Sequence, residues 1–214
     1  MSDPRADLLR AGYATVAKAY ADQLIDELAG KPLDRAWLTA FVSSCPGGAG
    51  RDLIVDIGCG PGHVTHFLAA SGANVEGLDL SPDMIADARS IFPALTFRVG
   101  DMFALPYADG SVAGIAAFYA IVHVPTAELL APFRELYRVL VPGGLTAIAF
   151  HAGAETVHVD ELFGCATSLD FVFHSPEVVV AALREVGFSL EARLDRQPYR
   201  AEHPSERTYL LARK

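Results

Sequence analysis

Short aliphatic runs alternating with amphipathic stretches predict one α/β domain: a doubly wound, mostly parallel sheet with helices on both faces and a helical cap at its N-terminus. Three observations carry that expectation. Leu53–Ile57 is an aliphatic run holding one carboxylate, Asp56, and it leads directly into Gly58, Gly60 and Gly62. Glycines there let the backbone turn sharply and leave no side chain between it and a ligand. A second run, Asn74 to Leu78, ends on an acid, Asp79, about 20 residues past the first glycine, the spacing that a ribose diol requires. Finally, 214 residues that are 51% hydrophobic and 20% charged suffice for one full core and are short for two.

Taken in order, Leu9, Tyr13, Val16, Ala17, Tyr20, Leu24 and Leu28 recur at helical spacing until Gly30 and Pro32 close the helix. Leu33, Ala36, Trp37, Ala40 and Phe41 repeat the pattern, and Ser43 to Gly50 reads as a linker rich in Ser, Pro and Gly. Residues 1–45 are therefore a cap or lid on the sheet that follows, since so short a segment buries too little surface to stand alone. The core, residues 51–151, repeats strand and helix. Val64, Phe67 and Leu68 mark a helix, and Ser81 caps another with Pro82 at its first position. Leu95–Val99 and Val112–Tyr119 are strands, Glu128–Leu140 is a helix, and Leu145–Phe150 is a fifth strand introduced by the turn Pro142-Gly143-Gly144. Residues 152–214 form a substrate-side insert and the last strands. The pattern is irregular until a helix at Pro176–Val186, and Leu190–Leu194 with Thr208–Ala212 then predict an antiparallel edge.

Composition excludes several function classes. A net charge of −9 opposes a protein that holds nucleic-acid phosphates, although Arg193, Arg196 and Arg200 form a local basic group. Cys45, Cys59 and Cys165 fit neither a disulfide framework nor a zinc site, so no metal is expected and a reducing cytoplasm suits them. The polar N-terminus (Ser2, Asp3, Arg5, Asp7) lacks signal-peptide order, and no apolar run approaches a membrane span. The expected partner is a small molecule. In such a sheet the ligand lies outside the carboxyl ends of the strands, where Gly58–Gly62, Asp79, Asp101 and Phe118–His123 should converge. Free amides at the helix start would favour a carboxylate or a phosphate. The spacing Gly58-Cys59-Gly60-Pro61-Gly62 departs from the dinucleotide fingerprint Gly-x-Gly-x-x-Gly, which weakens a nicotinamide cofactor.

Four stretches in order resemble one family. Asp56-Ile57-Gly58-Cys59-Gly60-Pro61-Gly62, Gly77-Leu78-Asp79-Leu80-Ser81-Pro82-Asp83-Met84, Gly100-Asp101-Met102-Phe103-Ala104-Leu105-Pro106-Tyr107 and Arg134 to Gly144 look like the successive motifs of the class I S-adenosylmethionine-dependent methyltransferases. The resemblance spans roughly residues 51–151 and is reminiscent of small bacterial members acting on small molecules. It implies a seven-stranded, Rossmann-like sheet and S-adenosylmethionine as cofactor, with S-adenosylhomocysteine as product. By the same resemblance Gly58, Cys59, Gly60 and Gly62 would pass the methionine part, with Asp56 near its cationic end. Asp79 would accept from both ribose hydroxyls and Asp101, beside Gly100, from the adenine amino group. Leu80, Met84 and Met102 would sandwich the adenine, and Tyr20 and Phe118 would complete the wall. Ala113 stands where members often carry an acid, which leaves the amino group to backbone carbonyls near Phe118 and Tyr119.

Methyl transfer asks the protein to align the acceptor and, for a hydroxyl, to take its proton. His123, beyond the fourth strand, and His151, beyond the fifth, are the candidate bases, since a neutral imidazole accepts a proton at cellular pH. Tyr13 and Tyr20 are candidates for a lid, and Asp160 and Glu161 for substrate contact. O-methylation of a small molecule is the expected reaction. An NAD(P)-dependent oxidoreductase and a non-catalytic S-adenosylmethionine-binding protein are the alternatives.

Overall fold

The computed structural model describes residues 4–47, 52–200 and 202–214; residues 48–50 of the predicted linker, and Ser2 and Asp3, lie outside them. The N-terminal segment forms α1 (Pro4–Leu24), a short 3-10 turn and α2 (Pro32–Ser44). The alternating core follows as β1 (Leu53–Ile57), α3 (His63–Ala70), β2 (Asn74–Asp79), α4 (Pro82–Ile91), β3 (Thr96–Val99), β4 (Val112–Phe118), α5 (Leu130–Val139) and β5 (Leu140–His151). The chain closes with β6 (Thr156–Leu162), β7 (Cys165–Val172), α6 (Pro176–Val186), β8 (Ser189–Arg196) and β9 (Arg207–Arg213).

Seven strands make one sheet in the order β3-β2-β1-β4-β5-β9-β8. All pairs from β3 to β5 are parallel, and β9 runs antiparallel to both β5 and β8. The predicted antiparallel edge is therefore present. Leu136, Phe133, Val179 and Leu183 of α5 and α6 pack on one face with Ile57 and Ile115. Leu38, Phe41, Val64 and Leu68 of α2 and α3 cover the other with Ile54 and Tyr209. Ser81 caps α4 as expected, its Oγ accepting from the Met84 N–H at 3.3 Å. None of the described helices is long and apolar enough to cross a membrane.

Two expectations change. The Pro142-Gly143-Gly144 turn lies inside β5: Val112 pairs with Leu140 and Gly114 with Leu145, so the intervening residues bulge out of the ladder, with Gly143 at a φ of 79°. The stretch after His151, expected to be irregular, is an antiparallel hairpin of β6 and β7 outside the main sheet. Its two-residue turn, Phe163-Gly164, has positive φ at both positions (52° and 78°), the geometry that matches the twist of paired strands. This hairpin packs against α1. Gly12 approaches Leu169 so closely that a Cβ there would lie 2.5 Å from it, and Thr167 donates to the Gly12 carbonyl at 2.9 Å.

Candidate active site

Strand order reverses between β1 and β4, and the carboxyl ends that diverge there open a cavity of about 680 Å³, well within the ~300–1,000 Å³ of small-molecule sites. One wall comes from the core motifs. Gly58 and Cys59 both donate to the Leu78 carbonyl, at 2.7 and 3.1 Å, which ties the glycine turn to β2. Gly60 then donates to Asp79 Oδ2 at 2.9 Å, while Asp79 Oδ1 accepts from the Ser81 N–H at 2.8 Å. The turn and the acid are one unit. Burial raises the Asp79 carboxyl above its ordinary range, against the lowering effect of those N–H groups. A Cβ at Gly60 would meet only Tyr20, at 3.7 Å, so the backbone there is bare toward the cavity. Leu80, Met84, Gly100, Asp101, Met102 and Phe118 line the same space. This donor set fits a nucleoside: a carboxylate for a diol, apolar side chains for a ring, and uncovered backbone beside them.

One residue expected on that wall does other work, and another is shared with the core of the fold. Gly62 does not line the cavity; a Cβ there would lie 2.7 Å from the Phe97 ring, at a φ of 88°, so glycine is required for packing. Asp56 is 1% exposed and accepts from the Thr65 hydroxyl at 2.6 Å, bracing β1 against α3. Asp56 also lines the cavity, and burial pushes its carboxyl up to about 7. Glu27, which sequence reasoning missed, brings a second carboxylate to the wall, held by Lys31 at 2.6 Å and His63 at 2.9 Å. Asp101 is not free: Arg5 of α1 stands 3.8 Å from Oδ2 and the Phe103 N–H donates to Oδ1 at 2.9 Å. Cys59 is buried and its thiol is pushed far up by burial, which removes it as a nucleophile.

The opposite wall is built from α1, the hairpin and the chain's last third. Leu9, Tyr13, Tyr20 and Leu24 present the apolar face of α1 to the cavity, and Val157, Val159 and Phe171 do so from the hairpin. Alternation at Val157 and Val159, and again at Leu169 and Phe171, was the available signal for those strands. Asp160 and Glu161 do not line the cavity; Asp160 pairs with the exposed His158 at 3.1 Å. Arg193 and Arg196 do not form a free basic patch, being bound to Glu177 and Asp195, and to Asp34 and Glu202.

Both candidate histidines line the cavity, and their partners differ in kind. His123 Nδ1 lies 2.7 Å from the Asp170 carbonyl oxygen, which only accepts, so Nδ1 carries the proton. Its Nε2 lone pair accepts from the Tyr13 hydroxyl at 2.6 Å. Burial lowers His123 to about 4. His151 Nδ1 lies 2.8 Å from Ser205 Oγ, a group that can donate or accept; the same oxygen accepts from Arg207 at 2.6 Å and lies 3.4 Å from His203 Nδ1. Burial, with the nearby Arg207 cation, lowers His151 to about 3. Its ring stacks on Phe173 at 4.8 Å.

Residues 54–144 match a family model described as a methyltransferase domain. A demethylmenaquinone methyltransferase from Beutenbergia cavernae is 29% identical over 152 residues, 71% of this chain and 61% of that protein. A 2-phytyl-1,4-naphtoquinone methyltransferase from Thermosynechococcus vestitus is 27% identical, over 84% of this chain and 90% of its own. Among solved structures, magnesium protoporphyrin IX methyltransferase from Synechocystis, with bound S-adenosylmethionine, superposes at a TM-score of 0.75 and 17% identity, covering all of this chain and 98% of that one. That last likeness speaks to the fold.

Proposed function

Because the chain belongs to the class I S-adenosylmethionine-dependent methyltransferases, we propose that it transfers a methyl group to the oxygen of a small-molecule acceptor. The observation that carries this reading is a single cavity joining two features: the bare Gly60 backbone beside Asp79, and the Nε2 lone pair of a neutral imidazole, His123. Bound on the first, the cofactor supplies an electrophilic methyl on a sulfonium. Asp79 would hold the ribose, Leu80, Met84 and Met102 would flank the adenine, and Asp101 with Gly100 would meet its edge. Tyr20 covers Gly60, and Glu27 and Asp56 would stand near the cationic end. The quinone methyltransferases among the relatives act on small molecules by name, which supports the acceptor class.

His123 is the proton acceptor. A hydroxyl acceptor donates to Tyr13 Oη while the phenol's own proton passes to Nε2, so Tyr13 ends neutral and His123 takes the charge. Burial keeps Tyr13 protonated by raising its pKa well above the ordinary value, as a donor to Nε2 requires. The Asp170 carbonyl holds the ring in the accepting tautomer and stabilises the imidazolium that forms. Residues 4–45 and the hairpin exclude water and shape the acceptor space, residues 52–151 hold the cofactor, and the last third orients the acceptor. Three unpaired cysteines suit a cytoplasmic enzyme.

Calorimetric titration with S-adenosylhomocysteine and NADPH, followed by a methylation screen of matched hydroxyl, amine and thiol compounds, tests the reading. Micromolar S-adenosylhomocysteine binding, its loss by roughly 10²-fold in Asp79→Asn, and transfer to the hydroxyl series are expected. NADPH binding in its place would return the oxidoreductase alternative. Tight binding without any turnover would favour a non-catalytic cofactor-binding protein, and transfer to the amines alone would end the assignment to oxygen.

A further inference from the structure

Arg207 opens β9 opposite His151 of β5, lines the cavity and is 3% exposed. Among the described residues every acceptor it reaches is neutral: the Ser205 carbonyl and Oγ, and the His203 carbonyl at 3.3 Å. Among the same residues its Nε has no hydrogen-bond partner. The neighbouring buried arginine, Arg196, shows what compensation looks like here, with Glu202 at 2.6 Å and Asp34 at 3.2 Å. Those two carboxylates are fully engaged, Glu202 also by Lys31 and the Tyr199 N–H and Asp34 by the Tyr209 hydroxyl. Glu206 accepts from Gln197. A buried cation without a carboxylate is unfavourable unless something else neutralises it, and the open side at this place is the cavity.

The surroundings say what kind of anion. His151 stands beside Arg207, the two joined through Ser205 Oγ, which lies 2.8 Å from His151 Nδ1 and accepts from Arg207 at 2.6 Å. Its ring stacks on Phe173 with an interplanar angle of 10°, and the edge of His203 meets both rings, at 6.0 and 5.4 Å. The Tyr119 ring lies 5.8 Å from the Arg207 guanidinium and 5.7 Å from Lys31 Nζ. Flat walls beside a buried guanidinium select a flat molecule bearing an oxyanion.

Building on the methyltransferase reading, we propose that the β5–β9 end of the cavity is an oxyanion-binding subsite, formed by Arg207 and His151, which takes a planar aromatic acceptor carrying a carboxylate or phosphate group. The acceptor's anion docks there and its hydroxyl reaches toward Tyr13 and His123.

The test is calorimetric titration of the full chain, saturated with S-adenosylhomocysteine, with 2-naphthoate, 2-naphthyl phosphate and the uncharged 2-naphthamide. At least one anion should bind tenfold or more tightly than the amide, and the tighter anion tells carboxylate from phosphate. That preference should fall at least fivefold in Arg207→Gln and be partly kept in Arg207→Lys. Equal affinity for all three probes, no binding of any, or a preference unchanged in Arg207→Gln overturns the subsite. If Arg207→Gln fails to fold, the three-probe comparison in the native chain still decides. Absence of S-adenosylhomocysteine binding, measured first, would instead count against the methyltransferase reading, and the probes are then compared without it.

Discussion

His123 and His151 stand beyond the ends of neighbouring strands, line one cavity and are both kept neutral by burial, yet their proposed roles put the single proton on opposite nitrogens. The difference comes from one partner each. A backbone carbonyl, which only accepts, takes the Nδ1 proton of His123 and leaves a lone pair on Nε2. In the proposed subsite a serine hydroxyl that receives a hydrogen bond from Arg207 gives its proton to His151 Nδ1 and leaves a donor on Nε2. Residue type and place in the fold therefore do not set the role. The atom on the far side of the ring does.

The largest effect is expected at His123→Ala, where kcat should fall by ~10²–10⁴-fold with S-adenosylhomocysteine affinity unchanged, as removal of a general base predicts; native turnover in a folded variant would reduce His123 to packing. His151→Ala should act on the other parameter, raising the acceptor KM by ~10–100-fold, the loss of a hydrogen bond to a charged group, with kcat nearly kept. A kcat collapse there would make the two histidines equivalent. Ser205→Ala frees the His151 tautomer and should raise the same KM only ~3–10-fold, in steady-state kinetics.

Acidification sharpens the contrast with an ordinary imidazole. His123 is held at about 4, so the rate should be flat down to pH 5 and half-maximal near pH 4; a limb at the usual 6.5 would mean the ring is not buried in solution. Stability follows the same groups. Between about pH 6.5 and the folded values of about 4 and about 3, the unfolded chain binds the protons that the folded one excludes. Stability is thus lost as pH falls through that window, steepening the fall in Tm by roughly 3–5 °C per pH unit for each histidine. Melting curves of His123→Gln should lose one such share.

The cofactor wall was legible because its parts are local. Strand, glycine turn and acid are read in runs of seven or eight residues, and the Gly60–Asp79 hydrogen bond joins two motifs already recognised. Even there, spacing alone did not separate Gly60, bare toward the cavity, from Gly62, which glycine must occupy because Phe97 fills the space beside it. The opposite wall was not legible. Arg207, Ser205 and His151 meet through strand pairing across more than one element, and no local pattern marks a cation that lacks a carboxylate. Tyr13 looked like helix packing because an apolar stripe facing a cavity has the same period as one facing a core. The β6–β7 hairpin was missed although Phe163-Gly164 marks its turn, because the alternation is carried by few apolar residues among exposed polar ones.

Imidazole nitrogen NMR of the full chain with S-adenosylhomocysteine bound, at neutral pH, tests the division of the cavity most directly. The account predicts two neutral rings, His123 protonated at Nδ1 and His151 at Nε2. Two rings in the same tautomer, or either of them charged, would contradict it.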